Sequence, residues 1–293
     1  MKGTLLLVWL IALSLLVINC GGGPPPTQPV SETPGTATPG AGEETPTPIE
    51  VLPTDTPVPP PPTPSPLPAE EVEMITIPAG EFTMGSEAGD DDERPAHTVF
   101  VDEFKIDKYE VTNEQFAKFV EETGYVTGAE QAGEGDSWRT YAVDKDRHPV
   151  VKVTWDDAVA YCQWAGKRLP TEAEWEKAAR GSESLVYPWG KSWDPAKANS
   201  REGGYRGTTV VGSFPEGASP YGVMDMAGNV WEWTSDWYDA YPGSTSTSEY
   251  YGEQFKVTRG GAWFSTNDLL RGSNRSATST DARNDDLGFR CTK

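Results

Sequence analysis

Cysteine, histidine and basic side chains are all scarce in this chain. Its 293 residues contain three cysteines and two histidines, and 24 Lys and Arg against 45 Asp and Glu give a net charge of −21. So few cysteines exclude a zinc-finger array or a disulfide-dense miniprotein. The negative field repels nucleic acid and anionic membrane surfaces, so we expect no nucleic-acid partner.

Aromatic and turn-forming residues are abundant by contrast. Eleven tryptophans and 30 glycines indicate a core of large rings joined by sharp turns, which favours an α+β fold over a helix bundle. Capping signals predict short helices after Thr112, Thr154 and Thr171, each followed three residues later by Gln, Asp or Glu. Strands are predicted at residues 74–77, 98–104, 257–259 and 288–292.

The first 19 residues have the pattern of an export signal. Lys2 supplies a positive charge, and an apolar run covers residues 5–18, which is too short to span a bilayer comfortably. Residues 17–20, VINC, resemble a lipobox, although Asn19 replaces the usual small residue. We expect a bacterial lipoprotein, exported to the periplasm or cell exterior and anchored to a membrane by lipidation of Cys20. A soluble secreted protein is the alternative.

Residues 20–69 carry the cysteine expected to be lipidated and a linker rich in Pro, Thr and Gly. The linker has almost no large apolar side chains, so we expect it to be disordered and partly polyproline II. Residues 70–293 contain no second break of this kind. Their length suits a single domain.

Six sequence motifs of this domain follow one another in a characteristic order. They are MITIPAGEFTMGS, KYEVTNEQFAKFV, HPVVKVTWDDAVAYCQWAGKRLPTEAEWE, DMAGNVWEWTSDW, RGGAWF and LGFRC. Together they resemble the formylglycine-generating enzyme (sulfatase-modifying factor) family. The resemblance implies a single C-type-lectin-like α+β domain with little regular secondary structure.

The resemblance also identifies a missing metal site. Active members bind copper through two cysteines just after the RGG motif, where this chain has Ser265 and Leu270. A hydroxyl and an alkyl group offer Cu(I) no soft sulfur donor, so we expect no copper and no formylglycine generation by the family's known mechanism. Related proteins hold iron with three histidines, whereas this chain has only His97 and His148.

Two structural features of the family carry over to this chain. Its disulfide corresponds to Cys162 and Cys291, for which two buried free thiols are the alternative. Its calcium loop resembles residues 225–232, and a second family site includes Asn199, although Gly203 there replaces a carboxylate. The implied calcium ligands are Asp225, Gly228, Val230, Glu232 and Asn199. In the alternative, the nearby tryptophans fill the core and Glu232 pairs with an arginine.

A polar and aromatic segment remains where the copper ligands would be. Aromatic rings beside short polar groups are typical of recognition surfaces. The expected ligand surface comprises Trp263, Ser265, Asn267, Asp268, Arg271, Asn274 and Arg275.

The leading hypothesis is a membrane-anchored, noncatalytic ligand-binding or accessory module whose partner is an extracellular protein or glycan. Two alternatives remain open. One is a formylglycine-generating-type oxidoreductase, or another protein-modifying enzyme, with a non-standard site. The other is a structural lipoprotein of the cell envelope.

Overall fold

The computed structural model describes residues 72–293, so the predicted export signal, lipidation site and most of the linker lie outside the described residues. Within this range the secondary structure is mixed and short, which confirms the predicted fold class. Eight strands are present: β1 (Met74–Ile77), β2 (Gly80–Met84), β3 (His97–Val101), β4 (Phe104–Asp107), β5 (Trp231–Trp237), β6 (Phe255–Arg259), β7 (Arg275–Ser279) and β8 (Leu287–Gly288).

Five α-helices occupy the first half of the domain. Their bounds are α1 (Asn113–Thr123), α2 (Gly128–Gln131), α3 (Trp138–Ala142), α4 (Trp155–Trp164) and α5 (Glu172–Arg180). The three predicted caps are confirmed, because Thr112, Thr154 and Thr171 each accept a hydrogen bond from the third residue of the helix in a reciprocal capping box. The same signal at Thr127 begins α2, which sequence reasoning missed.

The strands form three small sheets. Strand β1 pairs with β4, and β2 pairs with β3, both antiparallel. The third sheet has the order β7-β6-β5-β8, in which only the β5–β8 pair is parallel. The predicted strand at 98–104 is therefore two strands that belong to different sheets. They separate at Asp102 and Glu103, whose acidic side chains are unfavourable in strands.

Two clusters of buried side chains form most of the core. One joins α1 and α4 to the third sheet through Phe116, Tyr161, Trp233 and Phe289. The other packs α5 against β1 to β4 around Trp175, which is fully buried. None of the helices within residues 72–293 combines the length and the hydrophobicity of a transmembrane span.

The C-terminal segment is fixed to both halves of the domain. The predicted strand at 288–292 is paired only at Leu287–Gly288, whereas Thr292 forms single bridges with Ile106 and Arg168. Between these points Cys291 forms the predicted disulfide with Cys162 of α4, which confirms that pairing. Backbone hydrogen bonds to Lys105, Asp107 and Arg168 hold the chain end together with the disulfide.

The disulfide closes a long loop, since its cysteines are 129 residues apart. Replacing both, Cys162→Ala and Cys291→Ala, should lower the free energy of unfolding by about 4 to 5 kcal/mol, because the unfolded chain regains loop entropy. Urea unfolding measures the loss. The reduced wild type should lose the same amount, and an unchanged urea midpoint would contradict the assignment.

Candidate functional site

The segment after the RGG motif turns back on itself and buries both former copper positions. Ser265 and Leu270 are 1% and 0% exposed. The Ser265 hydroxyl accepts a hydrogen bond from the Ala262 amide at 3.0 Å, and the Ser265 amide donates to the Ala262 carbonyl at 2.9 Å. The Ser265 side chain therefore stabilises a turn.

The Leu270 side chain fills the space on the other side of this turn. It packs with Tyr187 and Ala227 in a small apolar cluster. Gly261 has φ 70°, and a Cβ there would lie 2.4 Å from Leu270 Cδ2. Because Gly261, the second glycine of the RGG motif, has no Cβ, the Leu270 side chain can occupy this space.

These residues do not fit copper. The two cysteines of the described range are joined to each other, and position 270 is an apolar packing site without a donor atom. The histidines lie elsewhere: His148 Nδ1 is 3.0 Å from Thr208 Oγ1, and His97 Nδ1 is 3.0 Å from the Pro95 carbonyl. Neither pairs with Ser265, so neither histidine is placed to accept the proton of its hydroxyl.

The expected calcium loop is tightly wound. Asp225, Gly228 and Asn229 all have positive φ, at 58°, 84° and 65°. A Cβ on residue 228 would lie 2.1 Å from the Asn199 carbonyl oxygen, so only glycine permits this approach of two backbones. The structure therefore brings Asn199 beside the loop, as the expected calcium set requires.

Glu232 does not fit a calcium ligand. Arg290 holds both of its oxygens, with Nε to Oε2 and Nη2 to Oε1 each at 2.7 Å, and Trp175 Nε1 donates to Oε2 at 2.9 Å. All three side chains are fully buried. A cation bound at this carboxylate would lie against the Arg290 guanidinium. The alternative interpretation, in which Glu232 pairs with an arginine, therefore holds for this residue.

The remaining polar groups of the loop form a buried network. The Asn199 amide donates to Asn229 Oδ1 at 3.0 Å, and the Asn229 amide in turn donates to both Glu110 oxygens at 3.1 Å. Sequence reasoning missed Asn229 and Glu110 as members of this network. Asn199 Oδ1 is buried without a hydrogen bond to a described residue. Burial raises the pKa of Asp225 to about 6. Calcium binding by the set without Glu232 stays a prediction.

The expected ligand surface is smaller than the sequence indicated. Three of its seven members are buried and are removed from it: Ser265, Asn274 and Arg275. Arg275 points inward because Glu172 accepts from its Nε and Nη2, both at 2.8 Å. Burying that charge requires this bidentate partner.

Arg271 is also engaged, since its Nη1 and Nη2 donate to the two oxygens of Glu93 at 2.6 and 2.7 Å. Asn267 and Asp268 are exposed, and Trp263 is half-buried. These three residues are the accessible part of the expected surface.

A shallow aromatic cleft of about 410 Å³ lies next to this surface and was not predicted. Trp189 and Trp193 line it, and their ring centroids are 5.5 Å apart. Tyr187 stacks on Trp189 at 5.5 Å and donates its hydroxyl to the Asn267 carbonyl at 3.2 Å. The cleft therefore adjoins the Leu270 cluster, where half-buried rings face solvent.

Truncating Leu270 tests whether its position is filled. We expect Leu270→Ala to lower the free energy of unfolding by about 2 to 5 kcal/mol, because it leaves a cavity in packed surroundings. Phe264→Ala is the control, since Phe264 is 46% exposed and should cost much less. Chemical denaturation followed by tryptophan fluorescence measures both. Equal, small losses would mean that position 270 opens to solvent.

Asp286 gives the domain a testable pH dependence. Its side chain is buried next to Asp285, and burial raises its pKa to about 6. The folded state therefore holds this proton more tightly than the unfolded state, and stability falls as pH rises from about 4 to about 6. Asp286→Asn should stabilise the domain by on the order of 1 kcal/mol at pH 8 and leave it unchanged near pH 4. Melting curves at the two pH values measure this, and an equal gain at both would contradict it.

Comparisons with known proteins agree with the sequence resemblance. The formylglycine-generating enzyme of Bos taurus is 36% identical over 277 residues, 74% of this chain and 74% of that protein. Inactive C-alpha-formylglycine-generating enzyme 2 of Bos taurus is also 36% identical, over 76% of this chain and 88% of that protein. The structure of PvdO from Pseudomonas aeruginosa has a TM-score of 0.60 at 31% identity and covers 75% and 93% of the two chains. With residues 60–293 matching the sulfatase-modifying factor enzyme 1-like domain, the chain belongs to that family.

Proposed function

We propose that this protein is a noncatalytic ligand-binding or accessory member of its family, held at a membrane by the lipid expected on Cys20. The observation that carries the proposal is the packing of Leu270. An apolar side chain that is fully buried against Tyr187 and Ala227 occupies the position of a catalytic cysteine. A reaction that needs a thiolate there has neither the donor nor the space.

The environment of Ser265 supports the same proposal. Its hydroxyl is used by the Ala262 amide inside a turn, and no histidine contacts it. A serine nucleophile needs a neighbouring base to accept its proton. Overall identity does not separate the active from the inactive relative, since both are 36% identical to this chain. The two substituted positions therefore carry the distinction.

The proposed contact surface lies over the filled site. It combines the half-buried rings of Trp189 and Trp193 with the exposed side chains of Asn267 and Asp268. Rings supply contact area at little entropic cost, and short polar groups supply direction. The expected partner is an extracellular protein or glycan.

A turnover assay tests the absence of catalysis. We would incubate the full chain with Cu(I), O₂ and a cysteine peptide that carries a sulfatase motif, and measure the mass of the peptide by mass spectrometry. We expect no conversion, while a formylglycine-generating enzyme assayed in parallel converts the peptide. Conversion of the cysteine to formylglycine by the unaltered chain would overturn the proposal.

A double variant serves as the matched control for copper. Ser265→Cys with Leu270→Cys restores two thiolates on either side of Gly261, which both side chains approach. Cu(I) competition against a chromogenic chelator should show one bound ion in the variant and none at this site in the wild type. The comparison isolates the two side chains from the rest of the chain.

A further inference from the structure

A second cleft, of about 190 Å³, lies where four separate parts of the chain meet. Its walls include Tyr141 and Lys145 near α3, Arg206 from the loop before β5, Trp263 after the RGG motif, and Asp285 before β8. Clefts assembled from several segments with a few convergent polar groups are the usual form of small-molecule sites. No single motif marks this one, so sequence reasoning missed it.

The charged side chains of this cleft lack direct polar partners in the described part of the chain. Within residues 72–293, the side chains of Lys145, Arg206 and Asp285 make no ion pair and no hydrogen bond with another residue. The arginines of the interior are paired, as Arg275 is with Glu172 and Arg290 with Glu232. In a chain of net charge −21, two unpaired cations on one cleft mark a local site for an anion.

The neighbouring titratable groups do not alter this balance. His148 lies beside the cleft with Nδ1 3.0 Å from Thr208 Oγ1, and burial together with the Lys145 charge lowers its pKa, which favours the neutral imidazole. Lys152 pairs with Asp136 at 2.7 Å and lies 5.1 Å from the Tyr141 ring centroid. Lys152 also attracts Asp285, so the cleft keeps two cations without an ion pair.

The walls and the volume define the rest of the ligand. Tyr141 and Trp263 offer aromatic surface, and Pro149 and Val151 are buried apolar residues of the lining. The volume is below the several hundred Å³ typical of drug-sized ligands, so the space suits one ring with a short acidic tail. Asp285 repels a second negative charge, which disfavours dicarboxylates and phosphate.

We propose that this cleft binds a small monocarboxylate with a planar, apolar body. Lys145 and Arg206 pair with the carboxylate, and Tyr141 and Trp263 contact the body. This site shares none of Trp189, Trp193, Asn267 and Asp268 with the contact surface proposed above, and it goes beyond the function proposed there.

Calorimetric titration of the full chain tests the proposal, in a non-ionic detergent that accommodates a lipid anchor. The probes are 3-phenylpropanoate, its uncharged counterpart 3-phenylpropan-1-ol, phenylsuccinate and inorganic phosphate. We expect saturable one-to-one binding of 3-phenylpropanoate, and at least tenfold weaker binding of the alcohol, the dicarboxylate and phosphate. A peptide ending in phenylalanine and its C-terminal amide then show whether the acid is a free molecule or a chain terminus.

Matched variants locate the site. Lys145→Gln with Arg206→Gln should weaken 3-phenylpropanoate at least tenfold, and Lys118→Gln, a change on α1, should leave it unchanged. Asp285→Asn should improve phenylsuccinate relative to 3-phenylpropanoate. These side chains form no ion pair or hydrogen bond with another described residue, and melting temperatures show whether the variants are folded.

Three outcomes would overturn the proposal: no binding of 3-phenylpropanoate, equal binding of the alcohol, or equal binding by the Lys145 and Arg206 double variant. None of these outcomes depends on the turnover assay. The proposed carboxylate site and the proposed noncatalytic function are therefore tested independently.

Discussion

The buried pair of Arg290 and Glu232 is the interaction on which the rest of this fold depends. Arg290 follows β8 by two residues, and besides Glu232 of β5 it donates to the carbonyls of Asp107, Lys108 and Met224, at 3.2, 3.2 and 2.9 Å. One guanidinium thereby joins the chain end, β4 and the loop before β5. Removing either partner would leave an uncompensated buried charge, which costs about 3 to 5 kcal/mol.

The neighbouring residue extends this attachment. Cys291 is bonded to α4 through the disulfide, and its amide donates to Asp107 at 3.0 Å. A short final segment is thus fixed by an ion pair, a disulfide and hydrogen bonds within two consecutive residues. None of these groups touches Ser265 or Leu270. The contacts that fix the C-terminal segment are therefore compatible with buried, non-ligating side chains at the copper positions.

The sequence predicted the parts of this structure that depend on local or paired chemistry. Capping boxes located three helices because Thr112, Thr154 and Thr171 make contacts within one turn. The family resemblance predicted the Cys162–Cys291 disulfide and the replacement of the two copper-binding cysteines by Ser265 and Leu270. The direction of a side chain was not predictable in the same way: Arg275 looked like a surface residue because its partner, Glu172, is 103 positions away. The second cleft was missed because Tyr141, Arg206 and Asp285 belong to different segments.

Charge is informative in this protein because nearly every buried ion has a partner. Arg259 contacts both Glu172 and Glu176, and Arg275 also pairs with Glu172. These buried glutamates therefore serve as ion-pair partners of buried arginines. Desolvation makes such pairing obligatory in the interior, whereas at a cleft wall water can satisfy a cation. Lys145 and Arg206 are in that second situation, since water or a ligand can hold them without any cost to folding. They line one cleft together with the rings of Tyr141 and Trp263.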